Sequence, residues 1–363
     1  MTHKEILLLP MFKKFISECE NGKRLKKNGK RLKPDTIRNY NFVLNNLEAF
    51  INHNAFHFRL RTSDSLDKRE RETERNYWKK FYQQFTGFLY NIKNCHDNYV
   101  GSTIKILRIF FNYLQNEKMI NTGNYFKEFY VIKEETPIIA LSVEQLQFLI
   151  FDHNFRESLP MRLQPSLDYF IFGCTVALRV SDLFNVCKSD IVKSGNNTYL
   201  INKSLKTESN IQVPLPNYAI EIVRKYSVKR SGTSQKLFPK ISLHHFNENL
   251  KLIASMAGWT ATIGKHRAKR GIRGSIQMPI TKAKYRFCDL ISSHVMRRTA
   301  ITNMILLGMP EFLVRKVSGH SNNSQAFYRY IRLAQTQVDN ELNKIYHRLE
   351  HLNASDENAK TLS

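Results

Sequence analysis

Cysteine is scarce in this sequence. Its 363 residues contain five cysteines: Cys19, Cys95, Cys174, Cys187 and Cys288. That number is odd and no two of them form a C-x-x-C pair, which argues against a disulfide framework and against a zinc site. We therefore expect a protein of the reducing cytoplasm.

Long apolar runs and acidic residues are also in short supply. No apolar run approaches the ~20 residues that a membrane-spanning helix needs, and the N-terminal E-I-L-L-L-P is too short and wrongly flanked for a signal peptide. Only 31 acidic residues face 56 lysines and arginines, for a formal net charge of +25. This excess indicates a polyanionic partner, and we favour nucleic acid over an acidic membrane surface. No acidic cluster has metal-ligand spacing, so neither a metal nor another cofactor is expected.

The N-terminal third shows the apolar periodicity of helices. We expect a short amphipathic helix within residues 1–20, a second from Pro34, a third over about 74–93 and a fourth over about 102–116 with Ser102 as N-cap. Residues 55–73 have no clear period. Aromatic residues at helical spacing are more typical of a core than of base stacking. The pattern therefore predicts a small helical bundle.

Two basic segments are candidates for contact with a phosphate backbone. Residues 21–34 suit either a solvated loop or a phosphate-contacting arm, and the charge of the whole chain favours the arm. Residues 264–274 suggest a glycine-bounded loop that tracks DNA or is simply solvated, and the lack of aromatics there argues against base stacking. The candidate DNA-binding residues are Lys23, Arg24, Lys26, Lys27, Lys30, Arg31, Lys265, Arg267, Lys269 and Arg270.

The composition changes around Pro137, and this change divides the chain. We expect a helical DNA-binding domain over residues 1–130, a linker over 131–141, a second domain over 142–352 and a disordered tail over 353–363. Ser142 and Gln145 predict a capping box that opens the second domain. Further helices are expected after Pro165, from Asn217 and from Ser242. The runs T-Y-L-I-N-K and I-Q-V-P-L predict a β-hairpin.

The segment from residue 294 to residue 330 concentrates the groups that carry chemistry. Arg297 can bind two phosphate oxygens at once, and His294 and His320 can each donate a hydrogen bond or move a proton. Tyr330 supplies a phenol, with Tyr328 as a rival. Ser293 is the expected N-cap of a helix that ends at Gly308, and residues three apart share one helix face. These groups suit the attack of a tyrosine hydroxyl on a phosphodiester.

In these residues the sequence resembles the tyrosine recombinase (phage integrase) family. The pair His294-x-x-Arg297 resembles the family's H-x-x-R box, Gly319-His320 resembles its G-H, and Tyr330 its nucleophile. The resemblance implies a mainly α fold with a small β-sheet, in which a helical core-binding domain precedes a catalytic domain and the two clamp duplex DNA. No N-terminal arm-binding domain is expected.

The resemblance extends to a first box and to the predicted hairpin. The segment A-L-R-V-S-D-L matches the family's G-L-R box with Ala177 in place of glycine. It implies that Arg179 is a phosphate clamp and that Asp182 orients neighbouring groups, whereas alone the two would indicate a surface salt bridge. Lys206, at the hairpin tip, would be the general acid for the leaving 5′-oxygen, with Lys203 as the alternative.

The choice of tyrosine rests on helix geometry. Two residues apart on a helix, Tyr328 and Tyr330 point in nearly opposite directions, so only one can face the site. Phe327, Tyr330 and Ile331 share one face, and the ending Phe-x-x-Tyr-Ile is common in relatives from bacterial mobile elements. Spacing from His320 does not decide, because the family's usual nine residues falls between the two. We predict Tyr330.

The resemblance implies a site-specific recombinase that works through a 3′-phosphotyrosine without metal or ATP. Its partners would be double-stranded DNA, three further copies of the chain in a tetramer on two DNA sites, and an accessory DNA-bending protein in some reactions. It would act in the cytoplasm, at the nucleoid. Two alternatives stay open, namely a type IB topoisomerase that relaxes DNA and a non-catalytic DNA-binding regulator with the same fold.

Overall fold

The chain divides into two compact units. The computed structural model describes residues 5–62, 66–203, 210–228, 236–321, 324–325, 327–336, 338–339, 342–343 and 345–346. One unit comprises residues 1–136 with 265–276, and the other residues 137–264 with 277–363. The first boundary falls inside the stretch predicted as a linker. Among the helices that the structure describes, none is long and apolar enough to cross a membrane.

The first unit is built on four helices and a two-stranded antiparallel sheet. Its elements are β1 (Glu5–Leu7), α1 (Leu8–Glu20), α2 (Pro34–Asn54), β2 (Arg59–Arg61), α3 (Lys68–Asn91), α4 (Asp97–Asn116) and a 3-10 turn at Tyr125–Glu128. The core of the bundle is aromatic, and Phe12, Phe50, Trp78 and Phe110 are fully buried in it. The predicted helical domain is confirmed, and its aromatics pack in the core.

Two helices of this unit begin earlier than the sequence pattern predicts. Helix α3 begins at Lys68 because Asp67 and Glu70 form a capping box, each side chain accepting from the other's backbone N–H at 2.7 and 2.9 Å. Helix α4 begins at Asp97. Ser102 lies inside α4, where its hydroxyl donates to the Asn98 carbonyl at 2.7 Å, so the prediction of Ser102 as N-cap is wrong.

The second unit is mainly helical around a three-stranded sheet. Its elements are α5 (Val143–Phe151), α6 (His153–Ser158), α7 (Gln164–Val176), α8 (Val180–Leu183), β3 (Ile191–Ser194), β4 (Asn197–Lys203), β5 (Asn210–Pro214), α9 (Asn217–Val228), α10 (Leu243–Met256), α11 (Phe287–Leu290), α12 (Ser293–Leu306) and α13 (Glu311–Ser318). Between α10 and α11 the chain forms β6 (Lys265–Lys269) and β7 (Ile272–Ile276), which belong to the first unit. Helical residues 327–336 follow α13. The sheet has the antiparallel order β3-β4-β5, which confirms the predicted hairpin.

Helix α7 lies at the centre of this unit and supports α12, the helix of the candidate site, by direct packing. It is buried on nearly all sides and packs against α12. The two helices approach closely at Gly173, because a Cβ added there would lie only 2.5 Å from the Met296 sulfur. The capping box of Ser142 and Gln145 opens α5 as predicted. The first box of the sequence follows α7 directly, so the core positions it.

Residues 265–276 form a hairpin, β6–β7, that groups with the first unit. The prediction of a loop over residues 264–274 is therefore wrong. Arg270 and Gly271 have φ of +54° and +79°, which is the backbone of a tight type I′ turn. The Asp97 carboxylate accepts from their backbone N–H groups at 2.8 and 2.9 Å and from the Tyr90 hydroxyl at 2.8 Å. The hydrogen bonds from the turn's backbone N–H groups to Asp97 therefore hold in place a strand pair that has almost no apolar pattern.

Candidate active site

Arg297 is the buried centre of the candidate site. It lies on α12, and only 8% of its surface is exposed. Its Nη1 donates to the Ala177 carbonyl at 2.8 Å, and its Nη2 donates to the Ser318 carbonyl at 2.5 Å. Ala177 ends α7 with φ of +53°, a conformation that favours glycine and that occurs where the family motif has glycine. One guanidinium thereby joins the ends of α7 and α13.

The burial of Arg297 disfavours the charged form of its guanidinium. Burial lowers the pKa of its guanidinium to about 10, and the charge of Arg179 acts in the same direction. Tyr330 and Asp182 oppose this shift. Arg179, half-buried just after α7, and Asp182, buried on α8, are therefore within electrostatic reach of Arg297. The structure brings the first box and the H-x-x-R helix to one place.

His320 follows α13 and contacts the same guanidinium. Gly319, with φ of +61°, ends the helix, and the ring returns so that Nδ1 lies 2.8 Å from the Ser318 hydroxyl oxygen. Nη2 of Arg297 lies 3.3 Å from each ring nitrogen. Burial lowers the pKa of His320 to about 3, with further contributions from the charges of Arg297, Arg179 and Arg315. The imidazole is therefore neutral at physiological pH.

The two tyrosines face different surroundings. Tyr330 packs against the small apolar cluster that contains buried Phe327, and its ring centroid lies 5.9 Å from that of His320. Tyr328 is 46% exposed, and its ring lies under the Arg315 guanidinium, 5.1 Å from centroid to Cζ. The geometry brings Tyr330 to His320 and Arg297.

His294 lies on α12 and is the more solvent-accessible of the two histidines. Loss of hydration among the surrounding protein atoms lowers its pKa, and the charges of Arg298 and Arg297 add to the effect. Ser293 is the first residue of α12 and not its cap, because the N-cap position belongs to Ser292. The prediction of Ser293 as N-cap is wrong by one residue.

The lysine prediction cannot be located in the same way. Lys206 lies outside the described residues. The rival Lys203 is the last residue of β4, where it is exposed and pairs with Asn210 of β5.

Comparison with known proteins identifies the family. The model of the phage integrase family matches residues 150–337, a span that contains every residue of the site described above. The chain belongs to the phage integrase family. Its members are tyrosine site-specific recombinases, enzymes that cut and rejoin DNA without a metal ion. No curated protein sequence matches the chain.

Solved structures of other integrases share the fold. A XerH site-specific recombinase bound to palindromic difH substrate is 12% identical, with a TM-score of 0.61 over 94% of this chain and 96% of that one. The Tn1549 transposon integrase in complex with circular intermediate DNA is 13% identical, with a TM-score of 0.56 over 90% and 95%. A lambda integrase tetramer bound to a Holliday junction is 14% identical, with a TM-score of 0.56 over 88% and 79%. At these identities the likeness concerns the fold.

The candidate DNA-binding residues of this integrase lie in two settings. In the first basic segment Lys23, Lys26, Lys27, Lys30 and Arg31 are exposed. Arg24 instead donates to the Glu117 carboxylate at 2.9 Å, and its guanidinium lies over the rings of Phe15 and Tyr113. Arg24 therefore contributes to packing, and its role in DNA binding stays a prediction.

The second basic segment is the β6–β7 hairpin. Lys265, Arg267 and Lys269 are half-buried on β6, and Nζ of Lys269 donates to Asn94 at 2.8 Å. Arg270 is exposed at the turn, with its guanidinium 5.3 Å from the Tyr90 ring centroid. The hairpin presents these cations on an ordered strand pair.

Two residues of the site were missed by the sequence reading. Arg315 is buried on α13, donates to Glu311 at 2.7 Å and to the Ser321 carbonyl at 3.0 Å, and stacks over Phe327 at 4.1 Å. The spacing of Glu311 and Arg315, four residues apart on a helix, is the signal that could have found it. Ser318 carries no such signal, because its partner in the site is reached only through the turn at Gly319.

Proposed function

We propose that this protein is a site-specific recombinase that cuts and rejoins DNA through a 3′-phosphotyrosine and that it integrates or excises a mobile element. The observation that carries the proposal is the meeting of Arg297, His320 and Tyr330 within the second unit. A guanidinium, a neutral imidazole and a phenol at one place suit nucleophilic attack on a phosphodiester.

The nucleophile in this proposal is Tyr330. Its position against the buried Phe327 and beside the His320 ring holds the phenol at the site. Tyr328 points to solvent and to Arg315 on the outer face of the same helical segment. The phenol attacks phosphorus, the 5′-oxygen leaves, and the phosphotyrosine conserves the bond energy, so that rejoining needs no ATP.

The other residues act on charge and protons. Arg179 and Arg297 stabilise the charge that develops on the non-bridging oxygens, together with His320. His294 orients the phenol or helps to deprotonate it, and Asp182 orients the groups around Arg297. Lys206 protonates the leaving oxygen. Fixed cations do here what a metal ion does in other phosphoryl-transfer enzymes.

DNA binding in this proposal uses the two basic segments. The lysines and arginines of residues 23–31 and of the β6–β7 hairpin contact the phosphate backbone, and each neutralised phosphate releases counterions. Four copies act on two DNA sites at the nucleoid, in some reactions with an accessory DNA-bending protein.

Trapping of the covalent intermediate tests the proposal. The protein is incubated with fragments of its host genome in EDTA and quenched in detergent, and the adducted peptide is mapped. We expect DNA attached to Tyr330, no adduct with Tyr330→Phe, and a full yield with Tyr328→Phe as the matched control. An adduct on Tyr328 would refute the assignment of the nucleophile.

Two further outcomes distinguish the alternatives. Relaxation of supercoiled plasmids of unrelated sequence, without strand exchange, would favour a type IB topoisomerase. Tight, salt-dependent binding without an adduct at any site would favour a non-catalytic regulator.

A further inference from the structure

A row of cations runs along α3 in the first unit. Lys68, Arg71, Arg75 and Lys79 follow one another at intervals of three or four residues, which places them on one face of the helix. All four side chains are exposed. At a rise of 1.5 Å per residue the row is about 16 Å long. None of these residues belongs to the two basic segments that are predicted to bind DNA.

The segment 121–130 lies beside this row, and the two form a pair of adjoining grooves. The groove at the start of α3 has a volume of about 520 Å³, and the next groove along the helix has a volume of about 590 Å³. Both values are typical of small-molecule sites. Arg75 and Tyr125 line both grooves, so the two are continuous.

The groove at the start of α3 is polar and cationic. Lys68, Arg71 and Arg75 line it, and Glu72 is the acidic residue of its wall. The Nε atom of Arg71 donates to the Leu66 carbonyl at 3.0 Å, which fixes the direction of the guanidinium. The positive charge exceeds the negative charge here, and a guanidinium can bind two phosphate oxygens at once. This groove therefore suits phosphate groups.

The second groove has an aromatic wall. The ring of Tyr82 stacks on Phe129, with centroids 5.5 Å apart and planes 21° apart, and its hydroxyl donates to the Tyr130 carbonyl at 3.1 Å. The ring of Tyr130 is 76% exposed, and its centroid lies 6.3 Å from that of Tyr82. An exposed ring beside a fixed one offers a surface on which a flat ligand can stack.

A tight turn places Tyr125 where the two grooves meet. Gly123 and Asn124 both have positive φ, of +66° and +60°. A Cβ on Gly123 would lie 2.4 Å from the Tyr125 ring, so only glycine lets the ring fold back toward α3. The Tyr125 hydroxyl then donates to the Arg71 carbonyl at 3.4 Å. Specific backbone geometry therefore shapes the junction of the grooves.

The cations of the second groove continue the positive charge. Nε of Arg75 lies 3.1 Å from the Glu128 carboxylate, whereas Lys79 and Lys127 line the groove as exposed side chains. Within the part of the chain that the structure describes, neither lysine forms an ion pair. The two grooves together contain five cationic side chains and two carboxylates. A ligand that matches both grooves is anionic at one end and carries a flat ring at the other.

We propose that the paired grooves along α3 are a binding site for a nucleotide, whose base stacks on Tyr130 and whose phosphates lie between Lys68 and Arg71. Two sources carry this chemistry, namely a free nucleoside polyphosphate and a nucleotide within a single strand of nucleic acid. Binding involves no covalent step. The site lies in the first unit and does not depend on the proposed recombinase activity, so Tyr330→Phe should bind the ligand as the wild type does.

Isothermal titration calorimetry on the full chain in EDTA tests the proposal. The probes are ATP, inorganic triphosphate, adenosine and a short single-stranded oligodeoxyadenylate. We expect ATP to bind at one site per chain and more tightly than either triphosphate or adenosine, because its two ends contact the two grooves. Binding of the oligodeoxyadenylate in preference to ATP, with the same sensitivity to substitution, would identify single-stranded DNA as the source of the nucleotide.

Two substitutions separate the two grooves. Arg71→Gln should weaken the binding of ATP and triphosphate about tenfold and leave that of adenosine unchanged. Tyr130→Ala should weaken the binding of ATP and adenosine about tenfold and leave that of triphosphate unchanged. Tyr130→Phe keeps the ring and should bind all probes as the wild type does. Thermal melting verifies that each variant is folded.

Matched controls account for the general attraction of a basic chain to polyanions. Arg69→Gln and Lys80→Gln each remove an exposed charge from α3 outside the two grooves, and both should bind ATP as the wild type does. An equal loss in Arg69→Gln and Arg71→Gln would show non-specific attraction and overturn the proposal. Absence of binding by every probe, or ATP binding that is unchanged in Tyr130→Ala, would overturn it as well.

Discussion

The neutral state of His320 predicts a specific loss of stability in acid. An unfolded histidine titrates near 6.5, whereas burial beside Arg297, Arg179 and Arg315 lowers the pKa of folded His320 to about 3. Below pH 6.5 the unfolded chain therefore binds a proton that the folded chain does not. The stabilisation is complete above pH 6.5 and is lost as the pH falls toward 3, so acid favours unfolding.

The size of the effect follows from the linkage relation. Each pH unit below 6.5 costs up to about 1.4 kcal/mol, so the interval from pH 6.5 to 4.5 gives at most about 2.7 kcal/mol. Because the ring is partly exposed, solvent screening reduces this, and we expect about 2 kcal/mol. The variant His320→Gln cannot titrate and should lack this part of the pH dependence.

Urea unfolding of the two proteins at pH 7.5, 6.5, 5.5 and 4.5 measures the difference. The carboxylates titrate in both proteins, so their contribution cancels in the comparison. The stability of the wild type relative to His320→Gln should fall toward low pH and level off above pH 6.5. A difference that is constant with pH, or one that grows in acid, would refute the description of His320 as a neutral, disfavoured base.

Three further predictions concern packing and charge. Gly101→Ala on α4 should destabilise the first unit by about 3 kcal/mol in urea unfolding, because the new Cβ would lie 1.8 Å from the Ile132 carbonyl oxygen. The matched variant Gly87→Ala on α3 places its Cβ where no atom lies within 4 Å. It should stabilise the same unit by about 0.5–1 kcal/mol. Asp97→Ala should cost about 2–4 kcal/mol, since it leaves two hairpin N–H groups without their charged acceptor; hydrogen exchange should show the loss at residues 270 and 271 first. Arg297→Lys, with one donor head in place of a fork, should lower single-turnover cleavage about 100-fold or more while salt-dependent DNA binding persists.

Local signals explain the parts of the fold that sequence could predict. The capping box at Ser142 involves residues three apart, so it forms whatever surrounds it. The apolar faces of α2 and α10 are likewise periodic and were found. Helix α3 shows the limit, because its first turn follows Asp67 in a charged stretch without apolar period. The many charged residues of this turn hide the apolar period of the helix, although the two capping residues can be read from the sequence.

The β6–β7 hairpin could not be predicted from its own residues. Ala268 is its one buried hydrophobic residue, so no alternation marks the strands. The turn at Arg270 depends on a carboxylate 173 residues away in the chain, and no local rule connects the two. The same reason hid Ser318, whose contact with His320 depends on how the chain turns at Gly319.

The candidate site was more accessible to prediction, because its motifs lie on one helix and the turn after the next. The choice of Tyr330 over Tyr328 illustrates this. Spacing from His320 left both open, but the shared face of Phe327 and Tyr330 predicted which ring would pack inward. The structure buries Phe327 completely and exposes Tyr328. The packing of these side chains therefore agrees with helix geometry, and Tyr330 as the nucleophile stays a prediction.

Three buried arginines show what sequence alone cannot separate. Arg59, Arg297 and Arg315 are all less than 9% exposed. Arg59 pairs with Glu74 and Arg315 with Glu311, so each charge is matched by a carboxylate. The hydrogen bonds of Arg297 go to two carbonyls, and the charge of Asp182 offsets only part of the penalty that lowers its pKa to about 10. We expect a bound phosphodiester to supply this negative charge, which would favour the charged form of Arg297.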